Sequence, residues 1–178
     1  MTNLNDISQA RVYVGTYRKY NEGSIFGKWL TLSDYTDKEE FYAACHELHS
    51  DEQDPEFMFQ DYEDIPQALI SESFISDKIF EIIEAWENME ESQKEPFQIW
   101  CNNRNRSLSD EDIDDLIRAF ERDYIGPYDS EEDFARELIE DRTDLPDFAK
   151  QYFDYEAYAN DLFCDGYWYQ DGHVFDNT

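Results

Sequence analysis

One acidic stretch, residues 109–144, combines a large negative charge with the apolar spacing of helices. It holds 15 acidic residues and four arginines, with no lysine. Even so, Ile113, Leu116 and Phe120 recur at helical spacing, and a second set of this kind begins at Phe134. A chain that folds with this much like charge works against its own electrostatic repulsion. We therefore expect the carboxylates to serve the function of the protein rather than its folding.

The negative charge is unevenly distributed along the 178 residues. Residues 1–35 carry a net charge of +1 and residues 36–178 a net charge of -31, which together give -30. Such a surface repels nucleic acid and anionic membranes, and it attracts basic surfaces that are built to hold phosphates. We therefore expect a basic protein partner, with no nucleic acid and no membrane bound directly.

Cysteine usage and the N-terminal sequence indicate the compartment. Cys45, Cys101 and Cys164 are far apart and have no zinc-site spacing. They are expected to be reduced and mostly buried thiols. The sequence has no signal-peptide pattern at its start and no apolar run near the ~18 residues of a membrane span. A cytoplasmic location is therefore expected.

Strand-like segments lie at both ends of the chain. Residues 10–17 and 25–32 predict a hairpin and residues 56–62 a third strand, which with an intervening helix makes a ββαβ unit. Residues 167–170 and 173–175 predict a terminal hairpin, because Asp-Gly between them favours a two-residue type I′ turn. The nine residues before the first strand are expected to be frayed.

Four helix starts can be read from capping patterns. Thr36 with Glu39 has the spacing of a capping box, and Ser76, Ser109 and Ser130 precede amphipathic segments.

Between these helix starts, the segment after Ser76 is expected to stay helical to about Glu91. Residues 92–96, which end in proline, should break it, and residues 97–100 should form a short strand or a buried turn. Near the end of the chain, residues 155–163 are also expected to be helical.

These elements predict an α+β fold of three small modules. Residues 1–62 form an N-terminal antiparallel sheet with a helix, and residues 63–103 form a mainly helical middle module. Residues 104–178 form an acidic α+β module that ends in the hairpin. The polar run at residues 102–107 is the predicted boundary to this last module.

The motifs of common enzymes are missing. There is no P-loop, GxGxxG, GxSxG or HExxH pattern. Asp110, Asp112, Asp114 and Glu121 fit an EF-hand spacing, but its required glycine is Asp115, and a capped helix start explains the same residues better. We expect no enzyme activity, no cofactor, no catalytic residue and no bound metal.

Two histidines in the helix predicted after Thr36 are close enough in sequence to bind one metal ion. His46 and His49, three residues apart, either share a metal ion or lie on the polar face of a helix. No third ligand is indicated, so the polar face is the expected location.

The acids of the helical segments repeat at spacings of three and four, which places them ~5–6 Å apart in rows. B-DNA carries one negative charge per ~1.7 Å, so a net charge of 30 matches roughly 50 Å of duplex, or about 15 bp. A solvated face that keeps the protein soluble is the alternative for any single row. Several rows together favour mimicry of DNA phosphates. The candidate partner-binding carboxylates are Asp77, Glu81, Glu84, Glu87, Glu91, Asp110, Glu111, Asp112, Asp114, Asp115, Glu121, Asp133, Glu137, Glu140 and Asp141.

The chain resembles the ArdA antirestriction proteins in several motifs that follow the order of the family. Arg11–Val14, Tyr20, Asn21, Gly23, Gly27 and Trp29 resemble its opening pattern, and Glu56–Glu63 resembles its E-[WF]-x-[IF]-x-D-Y-E segment. The residues that resemble its antirestriction motif are Leu145, Pro146, Tyr152, Phe153, Asp154, Tyr155 and Glu156.

The resemblance implies an elongated, curved chain that forms a homodimer through its C-terminal module. For this chain we expect Tyr and Phe side chains of that module to supply the dimer contact. It also implies a DNA mimic that travels on mobile elements and occupies the DNA groove of type I restriction-modification enzymes, chiefly the methyltransferase core. The alternative function is an acidic chaperone or adaptor for basic nucleic-acid-binding proteins.

Overall fold

The computed structural model describes residues 4–177 and has a mixed α+β fold with small antiparallel sheets. Helices make up 50% and strands 19% of the chain, with eight α-helices in the part described. The predicted α+β class is therefore confirmed.

The N-terminal sheet has three antiparallel strands in the order β2 (Lys28–Thr31), β1 (Arg11–Thr16) and β3 (Phe57–Glu63). Its central strand buries Val12 and Val14 completely, because alternate residues of a strand face the same side. The order of strands and helix confirms the ββαβ prediction, although a short helix is added inside the hairpin. The elements are β1 (Arg11–Thr16), α1 (Tyr17–Asn21), β2 (Lys28–Thr31), α2 (Lys38–Leu48) and β3 (Phe57–Glu63).

Two predictions for this unit are corrected. The N-cap of α2 is Asp37 rather than Thr36: Asp37 accepts from the Glu40 amide at 2.8 Å, and the Glu40 carboxylate accepts from the Thr36 amide at 2.7 Å. The cap is thus shifted by one residue, and the reciprocal bond of Glu40 goes to the residue before the cap. The start of the chain is also not frayed at Leu4–Gln9, a 3-10 helix that buries Ile7 completely. Residues 1–3 lie outside the described residues.

The middle of the chain has a two-stranded ribbon followed by two helices. The predicted apolar face after Ser76 is confirmed, since Ile79, Ile82 and Trp86 are buried. The helix ends earlier than predicted, because Met89 takes an extended backbone conformation with ψ of 138°. The elements are β4 (Ile70–Ser71), β5 (Phe74–Ile75), α3 (Lys78–Asn88) and α4 (Glu91–Asn103).

Helix α4 replaces the break and the short strand that were predicted at residues 92–100. Pro96 lies inside this helix and removes one backbone hydrogen bond. Phe97 and Trp100 are nevertheless buried on the core face, and Cys101 beside them is buried as well. Burial of large aromatic side chains is worth several kilocalories per mole and offsets the cost of the proline.

The C-terminal part confirms the predicted hairpin and one helix cap. Gln170 pairs with His173, and Asp171 and Gly172 have φ of 51° and 87°, as a type I′ turn requires. The Ser130 hydroxyl accepts from the Asp133 amide at 3.1 Å. The elements are α5 (Ile113–Asp123), β6 (Tyr124–Pro127), α6 (Glu131–Glu140), α7 (Asp147–Gln151), α8 (Tyr155–Asp165), β7 (Tyr167–Gln170) and β8 (His173–Asp176).

The prediction that Ser109 caps α5 is wrong. Asp112 takes this position and accepts from the amides of Asp114 and Asp115 at 3.0 and 3.1 Å. Ser109 lies in the preceding turn, where its carbonyl accepts from the Lys78 ammonium at 3.1 Å. This bond ties the turn to α3. The segment is a capped helix start, as predicted, but its capping residue is Asp112.

One buried cluster runs from Ile7 to Phe175 and includes the inner faces of α3, α4 and α5. Trp100 of α4 is fully buried within it, 6.2 Å from the ring of Phe120 on α5. The cluster crosses both predicted module boundaries, and the division at residues 62 and 103 stays a prediction. Because this cluster includes the inner faces of both helices, α3 and α5 are held firmly relative to each other at the surface.

We expect a thiol reagent to label one cysteine of the three in the native protein. Cys45 and Cys101 are buried, and burial raises the pKa of each thiol to about 12, whereas Cys164 is exposed. The thiolate is the reactive form, so the two buried groups should react only after unfolding. Mass spectrometry of iodoacetamide-treated protein should show one adduct without urea and three with it. Two or three native adducts would contradict the packing described here.

Candidate partner-binding surface

The acidic residues lie almost entirely on the surface. Of the 43 acids whose exposure is described, 38 are exposed and Asp123 is buried. Eleven of the 14 basic side chains lie within 4.0 Å of a carboxylate. Most positive charge is thus engaged internally, and the remaining surface is strongly negative.

A groove of about 790 Å³ lies between α3 and α5, which we call the α3–α5 groove. The two helices pack against each other and bury Ile82 and Leu116 on their inner faces. Their outer edges carry carboxylates from α3, from the α3–α4 junction and from the start and body of α5. These groove carboxylates are Glu81, Glu84, Glu90, Asp112, Asp114 and Glu121.

Less exposed apolar residues, which we call the floor, line the α3–α5 groove between its carboxylates, beside Asn88 and Gln93. Ala85 and Met89 come from the α3 side, and Ile113 and Ile117 from α5. No basic residue lines the groove, and none of the groove carboxylates belongs to an ion pair among the described residues. The groove therefore joins acidic walls without an ion pair to apolar residues between them.

The other predicted carboxylates fall into two groups. Four are balanced by a nearby base: Asp77 by Lys38 at 3.5 Å, Glu91 by Lys94 at 2.8 Å, Glu111 by Arg106 at 2.7 Å and Asp115 by Arg118. The rest are exposed without such a pair in the described structure, namely Glu87 on α3, Asp110 before α5, and Asp133, Glu137, Glu140 and Asp141 on or at the end of α6.

In the structure, the carboxylates form rows that differ from those predicted from the sequence. Glu91 does not continue the α3 row, because it begins α4 after the extended residues Met89 and Glu90. Glu81 and Glu84 instead face acids of α5 across the groove. Sequence reasoning missed Glu90 and the apolar floor, since the pairing of α3 with α5 leaves no local signal.

The residues of the antirestriction motif surround α7 and begin α8. Leu145 and Pro146 precede α7, and Tyr152 and Phe153 follow it. The Asp154 carboxylate caps α8, because it accepts from the Ala157 amide at 3.0 Å. Tyr155 and Glu156 are the first residues of that helix. Within this segment Phe148 and Tyr152 are 73% and 75% exposed, with ring centroids 5.1 Å apart. Phe148 of this exposed aromatic pair lines a shallow pocket together with Glu140 of α6.

His46 and His49 do not share a site. His46 is exposed beside Phe57, whereas His49 is buried, which corrects its predicted place on the polar face. The Val14 carbonyl lies 3.2 Å from Nε2 of His49, and Lys19 Nζ lies 2.9 Å from its Nδ1. Nε2 therefore carries the proton, Nδ1 accepts from the ammonium, and burial lowers the pKa of the imidazole.

In the described part of the chain, His49 could share a metal ion with Asp51 and Glu52. The ammonium of Lys19 already lies 2.7 Å from Asp51 and 3.3 Å from Glu52. It neutralises these carboxylates and holds β1, α1 and the loop after α2 together.

The fold and this surface define a class of protein, namely an acidic α+β protein whose packed helices carry exposed carboxylates. The chain belongs to the ArdA antirestriction protein family, whose model matches residues 12–175. This confirms the resemblance read from the sequence motifs. The family consists of inhibitors, so the chain has an antirestriction function that acts on restriction-modification enzymes. None of the curated proteins matches this chain.

None of the described helices is both long enough and apolar enough to cross a bilayer.

Proposed function

We propose that this protein inhibits type I restriction-modification enzymes as a folded, polyanionic mimic of B-DNA. It occupies the DNA-binding groove of the methyltransferase core in the cytoplasm and has no enzyme activity of its own. The observation that carries the proposal is the exposure of 38 of the 43 described acids, many of them on packed helices. Carboxylates on a rigid scaffold lose less freedom on binding than those of a disordered acidic tail, so more of their attraction appears as affinity.

The test is a competition assay. A type I methyltransferase core is bound to labelled duplex at about 0.1 M salt, where screening is moderate, and the protein is added. Release of the duplex near one inhibitor dimer per site supports mimicry. Binding of the inhibitor without release of the duplex contradicts it and favours an acidic chaperone, which would bind basic proteins with little selection for their DNA sites.

We also propose that the protein is a homodimer and that Phe148 and Tyr152 contribute to the contact. Both rings are largely exposed on or beside α7, next to the antirestriction motif. Aromatic residues are enriched in the central parts of protein interfaces. Association of two chains of net charge -30 needs such an apolar contact to offset repulsion.

Replacing Phe148 and Tyr152 by serine should raise the dimer dissociation constant by about 100-fold or more, because two interface aromatics are lost. Light scattering over a dilution series measures this change. The control is Ile25→Ser, which removes an apolar side chain that is 79% exposed in the N-terminal module. Equal dissociation constants for the double variant and the unmodified chain would place the dimer contact elsewhere.

A further inference from the structure

The α3–α5 groove points to a specific feature of the partner. We infer that the groove receives a segment of the restriction-modification enzyme that carries arginine or lysine side chains. Their aliphatic stems lie on the apolar floor, and their charged ends meet the groove carboxylates. This inference rests on the proposed function and adds to it. The protein then imitates the rows of phosphates and also the groove that lies between two charged edges.

The first support is that none of the groove carboxylates forms an ion pair with a base of the described chain. On other helical surfaces, acids are paired with bases of the same chain, such as Glu91 with Lys94 on α4 and Glu132 with Arg136 on α6. Six carboxylates surround the α3–α5 groove, and no base of the described chain pairs with them. A cationic group from a partner meets several carboxylates there, without first displacing a resident base.

The second support is the apolar floor. A face that only keeps a protein soluble needs carboxylates but no apolar base beneath them. Met89, Ala85 and Ile117 are partly exposed between the acidic walls. Lysine and arginine bury their methylene stems on apolar surface while the charged end stays among polar groups. The floor and walls together therefore match the two parts of these side chains.

The third support is size and rigidity. A groove of about 790 Å³ falls within the range of roughly 300–1,000 Å³ that is typical of binding sites. Its walls are held from behind by Ile82 and Trp86 of α3 and by Phe120 of α5, all of them buried. The groove exists before the partner arrives, so little ordering is required on binding.

The test fills the groove with a cation of the chain itself. In Ala85→Arg the new guanidinium lies on the groove floor, one helical turn from Glu81. Ala43→Arg is the matched control, because Ala43 is exposed on α2 with Glu39 and Glu47 one turn away on either side. Both variants change the net charge equally. We expect Ala85→Arg to weaken binding to the methyltransferase core at least about tenfold more than Ala43→Arg does.

A second measurement uses the unmodified chain and does not depend on the folding of a variant. The chain has three methionines, and Met89 lies in the groove whereas Met58 is buried in strand β3 of the N-terminal sheet. With ¹³C-methyl methionine, the Met89 signal should shift or broaden when the methyltransferase core is added. The Met58 signal, assigned with Met58→Leu, should stay in place.

The outcomes separate this inference from the proposed function. Release of duplex by a chain whose Met89 signal does not change would overturn the groove inference and leave DNA mimicry standing. Equal binding of Ala85→Arg and Ala43→Arg would overturn it as well. If the duplex is not released at all, the proposed function fails, whatever the Met89 signal does.

Discussion

The restriction-modification enzyme is expected to bind at least about 60-fold more weakly to a variant in which five carboxylates of α3 and α5 become amides. Exposed charge contacts contribute ~0.5–1 kcal/mol each, so five of them sum to ~2.5–5 kcal/mol, which is roughly 60-fold to several thousand-fold. A single replacement should cost a few-fold at most. The changes are Glu81→Gln, Glu84→Gln, Glu87→Gln, Asp114→Asn and Glu121→Gln.

A matched variant separates position from net charge. It removes five exposed acids that belong to the N-terminal and ribbon segments, and it should lose clearly less affinity than the α3–α5 variant. Titrations over a range of salt should also give a shallower salt dependence for the α3–α5 variant, because fewer ionic contacts remain to be screened. Equal losses for both sets would contradict a special role of these helices. The control changes are Glu39→Gln, Glu47→Gln, Asp54→Asn, Glu56→Gln and Glu72→Gln.

Replacing Trp100 by alanine should lower the free energy of unfolding by about 3–5 kcal/mol. The side chain is fully buried, and its Nε1 donates to Asp123 Oδ2 at 3.0 Å. It packs against Phe97 and Phe120, so its removal leaves a cavity between α4 and α5. Asp123 would also lose a donor inside the protein, although Arg122 at 3.0 Å still neutralises it.

Urea unfolding followed by circular dichroism measures this loss. Trp100→Phe keeps most of the ring volume and removes the donor, so it should cost less than the alanine variant. A loss below about 1 kcal/mol for Trp100→Ala would mean that the site collapses without a cavity. It would also mean that Trp100 does not hold α5, and with it one wall of the groove, in place.

Much of the local structure could be predicted because its cause is local. The apolar spacing around Ile79 and Ile113 determines which faces of α3 and α5 are buried. Asp171 and Gly172 adopt the left-handed conformations that a type I′ turn needs, which determines the register of the last hairpin. Ser130 caps α6 through the Asp133 amide, three residues along the same segment.

The remaining differences have causes beyond the local sequence. Ser109 and Asp112 both suit an N-cap, and the bond from Lys78 to the Ser109 carbonyl belongs to tertiary structure that spacing does not reveal. Helix α4 continues past Pro96 because Trp100 is buried against α5. The α3–α5 groove arises from the same packing. The acidic character of the surface was therefore predictable, whereas its concave form was not.

The most direct test of DNA mimicry is the structure of the inhibitor bound to a type I methyltransferase core, determined by electron cryomicroscopy. If the protein mimics DNA, the inhibitor lies in the DNA site of the enzyme. Glu81, Glu84 and Glu121 should then face the lysines and arginines that contact phosphates when duplex is bound. An inhibitor bound outside an open DNA site would contradict the account, even if restriction were fully blocked.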